Sequence, residues 1–431
     1  MNYLFDTLST RLTAGWKRRD LPRAGRSYRC RCGRPVFFAN SECLACHAPL
    51  GYEPELAEVS ALVPGPEAGT WRLDPTTARG DGEAVYRRCA NFEGPAGCNW
   101  LVPVGDPIEL CRACRLNRTI PDLADPVNAQ HWRKLERAKR RLISQLIALG
   151  LPVRSKVSED PERGLAFDFL RSPPEGPRVL TGHDNGLITL NVEEADDATR
   201  ERIRQEMREP YRTLLGHFRH EIGHYYWDLL VLPTPWIDDY RALFGDERAD
   251  YGAALQQHYE QGPPPDWAQR FVSSYASMHP WEDWAETWAH YLHMADTADT
   301  AMSFGIDASN VELTSDLFTA ADLWQPEHPD AAKFLDFING WVLLTSMLNE
   351  LSRSMGQPDY YPFVLPRAAV GKLQFIHGVI TAQRSGTAPT MVMAGDVAAP
   401  AAEAAEPAPV QSQTQSQAQL QAQSQGDVAQ S

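Results

Sequence analysis

The placement of the cysteines constrains the fold of this chain more than any other feature. All eight lie before residue 115, where they form two groups of four, and none occurs in the rest of the 431 residues. Clustering in close pairs is typical of zinc-binding knuckles rather than of disulfide frameworks. Segments this small cannot bury enough apolar surface to fold unaided, so we expect bound metal ions to take the place of a core.

The first group predicts a four-cysteine zinc ribbon made of Cys30, Cys32, Cys43 and Cys46. Gly33 permits a tight turn after the first pair, and residues 35–38 predict a short strand. One residue separates the first two cysteines where ribbons commonly have two, which is a departure from the usual spacing. Four thiolates leave no position for water, so the predicted site is structural.

The second group predicts another structural zinc site, made of Cys89, Cys98, Cys111 and Cys114. Its first gap is wide, but its last pair has the spacing of an ordinary knuckle, and residues 100–104 predict a strand. Free thiols in a reducing compartment, or a disulfide in an exported protein, are the alternatives.

The pentapeptide HEIGH is the second chemical signal. Its histidines, His220 and His224, would project from one face of a helix and could bind a single zinc ion, with Glu221 beside the metal as a general base. Apolar residues at helical spacings predict a long, largely buried helix over residues 211–230. Gly223 would let another segment approach the metal closely. Alternatively, both histidines are core residues that hydrogen-bond within the protein and bind no metal.

A catalytic zinc site needs a third protein ligand and one position open to water. The acidic, tryptophan-rich run that begins at residue 280 predicts a second helix, on which Glu282 and Glu286 share a face. Two acids on an otherwise aromatic and alanine-rich face are costly to bury without a cation. Glu282 is favoured as the ligand over Asp283, which lies on a different face. Asp228, one turn after the second histidine, either orients a histidine or is a solvated acid at the helix end.

At these residues the chain resembles the gluzincin metallopeptidases, in which a glutamate on a later helix completes the zinc shell. Tyr275, followed by Glu282 and then Glu286, resembles the lethal-factor-type branch. From about residue 28 to about residue 379 the chain resembles a bacterial family of zinc-binding metallopeptidases that carries an N-terminal zinc-ribbon domain. The resemblance implies that Glu282 is the third ligand and that Glu286 accepts a hydrogen bond from a ligand histidine. It also implies that Tyr275 stabilises the transition state. A packed core tyrosine with no catalytic part is the alternative.

The predicted ligands indicate a zinc-dependent hydrolase, and the resemblance implies that it is a metallopeptidase acting on a peptide or protein. Zinc held by His220, His224 and Glu282 would lower the pKa of bound water to about 7, and Glu221 would take its proton as the water attacks a carbonyl. We expect one catalytic and two structural zinc ions. The alternatives are a catalytically silent zinc-binding adaptor with a protein partner at its ribbons, and a nucleic-acid-binding ribbon protein with a fused peptidase fold.

The charge and the terminal sequence bear on partners and location. A net charge of −15 argues against general nucleic-acid binding, because phosphates would be repelled over most of the surface. The first residues lack the basic segment and apolar run of a secretory signal, and no run reaches about 18 apolar residues. We therefore expect a cytoplasmic protein that does not contact a membrane.

The predicted fold class is α+β, with a mainly helical zincin-like domain preceded by a small β-rich zinc-ribbon region. We place the ribbon region with both four-cysteine sites at residues 1–125 and the metallopeptidase domain at residues 126–384. In that domain we predict helices at 130–149, 329–355 and 366–380 and strands at 167–170 and 187–192. An edge strand could hold an extended substrate by main-chain bonds. The Ala, Pro, Gln and Ser content of residues 385–431 predicts a disordered tail.

Overall fold

The computed structural model describes residues 26–76, 83–173, 175–176, 178–207, 209–306, 313 and 317–389. Of the predicted tail at residues 385–431, residues 390–431 lie outside the described residues, whereas Ser385 is the last residue of a helix.

The N-terminal part of the described chain is rich in short strands, as predicted, and the strands of its first two sheets pair antiparallel. A two-stranded ribbon pairs β1 (Tyr28–Arg29) with β2 (Pro35–Val36). A five-stranded sheet follows in chain order, made of β3 (Leu50–Glu53), β4 (Glu58–Pro64), β5 (Thr70–Leu73), β6 (Tyr86–Arg88) and β7 (Leu101–Pro103). The second strand is shorter than the predicted 35–38, because Phe38 leaves the strand and packs edge-on against Tyr52 with ring centres 4.7 Å apart.

A second sheet contributes residues to the lining of the cavity at the candidate active site, which is described below. It contains β8 (Asn117–Thr119), β9 (Ala166–Leu170), β10 (Gly182–Asp184) and β11 (Leu187–Asn191), in the spatial order β10-β11-β9-β8. Both neighbours of β9 run parallel to it, whereas β10 and β11 form a hairpin. The hairpin turns through Asn185 and Gly186, which both have positive φ, as a two-residue turn of the primed type requires. β10 therefore lies at an edge of this sheet.

The rest of the described chain is mainly helical, in agreement with the predicted fold class. Its α-helices are α1 (Pro126–Ala148), α2 (Asp197–Glu206), α3 (Leu214–Tyr226), α4 (Trp236–Phe244), α5 (Tyr251–Gln261), α6 (Trp267–Arg270), α7 (Pro280–Ser303), α8 (Ala331–Ser354) and α9 (Arg367–Ser385). None of the helices in the described ranges combines the length and the apolar character needed to cross a bilayer.

The helix that carries HEIGH differs from the predicted span of 211–230. It begins only after Thr213, whose hydroxyl accepts a hydrogen bond from the Gly216 amide at 3.0 Å and so caps the first turn. After Tyr226 the chain continues in a wider π-helical turn over Trp227–Val231. The apolar periodicity continues through both ends, but the hydrogen-bond pattern of the α-helix does not.

Close packing of α3 against α7 is made possible by Gly223. A Cβ atom at this position would lie 3.1 Å from Cα of Ala285 and 3.2 Å from the Trp288 ring. The Trp284 indole donates a hydrogen bond to the Gly223 carbonyl at 2.8 Å. Another segment, α7, thus approaches closely at this glycine.

A buried carboxylate joins the N-terminal part to both of these helices. Asp296, on α7, accepts from Arg219 of α3 at 2.8 Å and from Arg141 of α1 at 2.9 Å. Arg26, just before β1, lies 2.9 Å from the other oxygen of the same carboxylate. Three guanidinium groups from three segments thus converge on one acid.

Candidate active site

Three side chains from α3 and α7 converge with the donor set of a metal site. Nε2 of His220 lies 3.0 Å from Oε2 of Glu282, and Nε2 of His224 lies 3.6 Å from the same oxygen. Oε2 of Glu282 is buried and has no hydrogen-bond partner among the described residues. A buried carboxylate oxygen is costly without a partner, and a cation among these three atoms would supply one. Two histidines and one glutamate are a usual ligand set for zinc with one position left open.

The start of α7 places Glu282. His279 caps the helix, because its Nδ1 accepts from the Trp281 amide at 3.1 Å, and Pro280 occupies the first helical position. Glu282 therefore lies in the first turn, where the helix dipole favours a negative charge. Burial alone would raise the pKa of Glu282, but the neighbouring imidazoles of His224 and His220 hold it well below its usual range.

Further carboxylate contacts fix the orientation of these groups. Nδ1 of His220 donates to Glu286 at 2.7 Å, which leaves Nε2 of the same ring facing Glu282. Ser273 donates to the other oxygen of Glu286 at 2.6 Å. Burial would raise the pKa of Glu286, yet its contacts with His220 lower it to about 2.

Tyr251 is part of the site, and the sequence did not single it out. Its hydroxyl donates to Oε1 of Glu282 at 2.8 Å, so that Oε2 is the oxygen left beside the two histidines. Tyr251 is the first residue of α5, directly after the N-cap Asp250. In the sequence, Tyr251 ends a charged segment, residues 245–251, between the two predicted zinc-binding helices, and that position does not indicate a contact with Glu282.

Asp283, the alternative ligand, points away from the histidines. Its carboxylate lies 2.5 Å from Nζ of Lys372 on α9, and both groups are buried. Burial raises the pKa of Asp283 to about 6 against the opposing effect of Lys372. Of the two adjacent acids, Glu282 therefore faces the two histidines, whereas Asp283 pairs with Lys372.

Glu221 and Tyr275 both line a cavity of about 1250 Å³ that reaches the three converging side chains. Glu221 is buried, and no described residue hydrogen-bonds to its carboxylate. Burial raises the pKa of Glu221, although His220 and His224 oppose this shift. The ring centre of Tyr275 lies 6.0 Å from that of His220, and burial together with the Glu282 charge raises its pKa well above the usual range.

Asp228 does not hydrogen-bond to either HEIGH histidine within the described part of the chain. Its carboxylate instead lies 3.9 Å from Nδ1 of His183 on β10, and burial raises its pKa to about 6. His183 was not noted in the sequence, but it lies beside the site, with its ring centre 6.2 Å from that of His224. Its Nε2 accepts from the Gly186 amide at 2.9 Å.

Each group of four cysteines is drawn together with the dimensions of a zinc site. Sulfur atoms about 2.3 Å from one tetrahedral ion are about 3.8 Å apart. The observed Sγ separations are 3.6 Å for Cys30 and Cys46, 3.7 Å for Cys32 and Cys43, and 3.6 Å for Cys98 and Cys111. All eight thiols are free of disulfide bonds. Both groups thus fit a metal ion.

The two cysteine sites differ in their surroundings. Gly33 follows the first pair with φ of 82°, the left-handed conformation that a tight knuckle uses. In the first site Cys32 and Cys46 are exposed, whereas all members of the second site are buried. Sγ of Cys114 in that second site lies 3.6 Å from Glu136 of α1. The second site is therefore buried and packs against α1.

Comparison with known proteins places the chain in a family. Residues 27–125 match the profile of a zinc-ribbon domain, and residues 128–379 match a family described as "Putative zinc-binding metallo-peptidase". Similar proteins include the uncharacterized protein Rv2568c of Mycobacterium tuberculosis and the uncharacterized protein Mb2598c of Mycobacterium bovis. Each is 43% identical over 357 residues, which is 82% of this chain and 95% of the relative.

No solved structure is significantly similar to the chain. The two matches confirm the predicted resemblance. They also confirm the predicted order, in which a β-rich ribbon region precedes a mainly helical domain. The second match covers more than half of the sequence, and each of the two relatives aligns with 82% of it. The chain therefore belongs to this zinc-binding metallopeptidase family and carries a zinc-ribbon domain at its N-terminal side.

Proposed function

We propose that the protein is a zinc-dependent peptidase that hydrolyses peptide bonds, with zinc held by His220, His224 and Glu282. One observation carries the proposal. Oε2 of Glu282 is buried without a hydrogen-bond partner in the described part of the structure, and it faces the ring nitrogens of both histidines. This arrangement is unfavourable for the protein alone and suits a divalent cation.

Bound zinc would polarise the substrate carbonyl and lower the pKa of a coordinated water to about 7. Glu221 supplies the base. Its carboxylate lines the same cavity, has no hydrogen bond from the described residues, and has a pKa raised by burial, which strengthens it as a proton acceptor. It accepts the proton of the attacking water and delivers it to the amine as the carbon–nitrogen bond breaks.

Tyr275 would stabilise the oxygen that becomes negative during the attack. Its hydroxyl, whose pKa is raised further above its usual range by burial, is protonated at neutral pH and can donate a hydrogen bond. A donor of this kind contributes about 3 kcal/mol to transition-state stabilisation. Glu286 acts indirectly, because it holds the proton on Nδ1 of His220.

Replacement of the base separates catalysis from metal binding. We expect Glu221→Gln to keep its zinc and to lose hydrolysis by about 100-fold or more, since only the proton acceptor is removed. Glu206→Gln is the matched control, because Glu206 lines the outer part of the same cavity but is exposed and paired with Arg202. The measurements are zinc per chain by elemental analysis and cleavage of a broad peptide library.

Zinc-loaded protein that cleaves no peptide, or that cleaves equally well as Glu221→Gln, would contradict the proposal. That result would favour a zinc-binding adaptor without turnover. A variant that loses its zinc would instead show that Glu221 contributes to the metal site.

A further inference from the structure

A histidine in the cavity wall is held by a buried arginine. Nδ1 of His293, on α7, lies 2.7 Å from the guanidinium of Arg219, on α3. Because arginine only donates hydrogen bonds, Nδ1 accepts, and the proton of the neutral ring is on Nε2. Burial and the Arg219 charge hold the pKa of His293 well below its usual range, so the ring is neutral. Nε2 has no hydrogen-bond partner among the described residues, and His293 therefore offers an N–H donor to the cavity that it lines.

The guanidinium behind this histidine belongs to a buried cluster with excess positive charge. Asp296 is shared by Arg219, Arg141 and Arg26, at distances of 2.8, 2.9 and 2.9 Å. A second acid, Asp299, lies 3.5 Å from Arg26 and is partly exposed. Even when both acids are counted, three positive charges face two negative ones. The potential at this part of the cavity wall is therefore positive.

The acidic side chains around this part of the cavity already have partners. Glu286, on the same face of α7, lies two helical turns before His293, and its two oxygens accept from His220 and Ser273. Outside the metal site, the other acids of the cavity lining each pair with a basic side chain: Glu194 with His217, Glu206 with Arg202, and Glu209 with Arg212. An anion at His293 would thus meet a donor and no unpaired carboxylate of the described lining.

Aromatic rings close the cavity beside this donor. The ring centre of Tyr211, between α2 and α3, lies 5.4 Å from that of His293 and 6.1 Å from that of Phe363. Rings at these distances are in contact, so an extended peptide cannot pass between them. The Tyr211 hydroxyl accepts from Thr213 at 3.0 Å and keeps its own proton for donation. A peptide that follows this wall from the metal site would therefore end at His293.

We infer that His293 and Tyr211, with the charge of Arg219 behind them, bind the C-terminal carboxylate of the substrate, so that the protein removes a short peptide from the end of a longer chain. A carboxylate accepts from both donors and suits the positive potential. The inference rests on the proposed peptidase function for its catalytic consequence. Carboxylate binding itself can be measured without turnover.

The distance from the metal site sets the length of the released peptide. Three turns of α7 separate Glu282 from His293, which is about 16 Å along the helix axis. An extended chain advances about 3.4 Å per residue, so roughly three to five residues fit between the cleaved bond and the carboxylate. Hydrolysis consumes one water, whose hydroxyl joins the carbonyl carbon of the remaining chain and whose proton goes to the amine of the released peptide.

Paired peptides test the inference. Each acetylated peptide of a broad library is synthesised with a free C-terminal carboxylate and as the carboxamide. The wild-type protein should cleave the free acids with a kcat/KM at least tenfold higher. Extension of a peptide by three residues at its C-terminus should move the cut by three residues, as measured by mass spectrometry of the products. A glutamate placed last in the carboxamide form should not restore the rate.

Variants of His293 identify the donor. His293→Leu removes it and should lower the acid-to-amide ratio of kcat/KM toward one, whereas a merely structural defect would slow both forms equally and keep the ratio. His293→Gln can accept from Arg219 and still donate, so it should retain part of the ratio. His328→Leu, at an exposed histidine before α8, is the matched control and should keep the wild-type ratio.

Binding separates this inference from the proposed function. The zinc-loaded Glu221→Gln protein should bind free acids at least tenfold more tightly than carboxamides, measured by competition with a fluorescent peptide. Equal cleavage of both forms, a cut that stays at the same bond after extension, or rescue by the final glutamate overturns the inference and leaves the peptidase function intact. No cleavage by zinc-loaded wild type, with acid-selective binding that His293→Leu abolishes, supports the carboxylate site and contradicts the peptidase function. Absence of both contradicts both.

Discussion

At the scale of single residues, the two oxygens of Glu282 have different partners. Tyr251 donates to Oε1, so the carboxylate cannot turn freely and Oε2 faces His220 and His224. A ligand fixed in this way loses less freedom when it binds a metal.

Removal of the Tyr251 hydroxyl is expected to weaken metal binding. We predict that Tyr251→Phe lowers zinc affinity by about 10- to 100-fold, the usual effect of losing a partner behind a ligand. The measurement is competition for zinc against a chromophoric chelator. Tyr360→Phe, an exposed tyrosine, is the control and should leave the affinity unchanged. Equal affinities for wild type and Tyr251→Phe would show that the hydroxyl has no influence on the ligand.

Glu194 gives a pH-dependent prediction. Burial would raise its pKa, but His217 and Arg212 lower it from 4.5 to about 2. Because the folded pKa is depressed, this group stabilises the fold fully above pH 4.5, and that contribution is lost as the pH falls toward 2. Glu194→Gln should therefore reduce the free energy of unfolding by roughly 3 kcal/mol at pH 6 and by clearly less at pH 3.

Urea unfolding at the two pH values checks this prediction, with Glu327→Gln as an exposed control. A loss of stability that is the same at pH 6 and pH 3 would mean that the carboxylate charge is not the cause.

At the scale of elements, the crossing of α3 and α7 brings the metal-site residues together. Gly223→Ala should push the helices apart, because the added methyl carbon would lie 3.1 Å from Cα of Ala285. We expect a loss of about 1–3 kcal/mol in unfolding free energy, together with weaker zinc binding. Gly378→Ala on α9 is the matched control, since nothing lies within 4 Å of its added carbon. There the substitution should stabilise the helix slightly. Unchanged stability of Gly223→Ala would contradict close packing at this point.

Local patterns predicted most helices but not their connections. Residues 130–149, 329–355 and 366–380 lie within or close to α1, α8 and α9, because apolar spacing and flanking prolines act over a few residues. The start of α3 was missed by three residues, since the pattern alone does not show that Thr213 caps the helix.

At the site, too, contacts within one helix could be predicted from the sequence, whereas contacts between distant segments could not. His220 with His224, and Glu282 with Glu286, are pairs four residues apart, so a helix alone places each pair on one face. Tyr251 reaches Glu282 from a helix 31 residues earlier, and no local pattern records that contact. The difference between Asp283 and Glu282 likewise depends on Lys372, which comes from a distant helix.

At the scale of the whole molecule, the two cysteine sites should contribute differently to stability. We expect three zinc ions per chain, one at each cluster, and Cys43→Ser and Cys111→Ser should each lose one. Only the second site is fully buried and touches α1, so Cys111→Ser should also lower the melting temperature of the entire chain, by roughly 5 °C or more. Elemental analysis and calorimetry test this, and equal thermal effects of the two substitutions would contradict it.

The pairing of β8 with β9 has a consequence for dissection of the protein. β8 precedes residue 125, yet it completes the far side of the sheet that carries β10. A fragment beginning at residue 126 would expose the bare hydrogen-bonding edge of β9, and such an edge pairs readily with another molecule. Fragments of the region that matches the metallopeptidase family should therefore stay monomeric only when they start upstream of Asn117. The boundary between the two family matches, near residue 126, therefore does not coincide with the boundary between the two sheets.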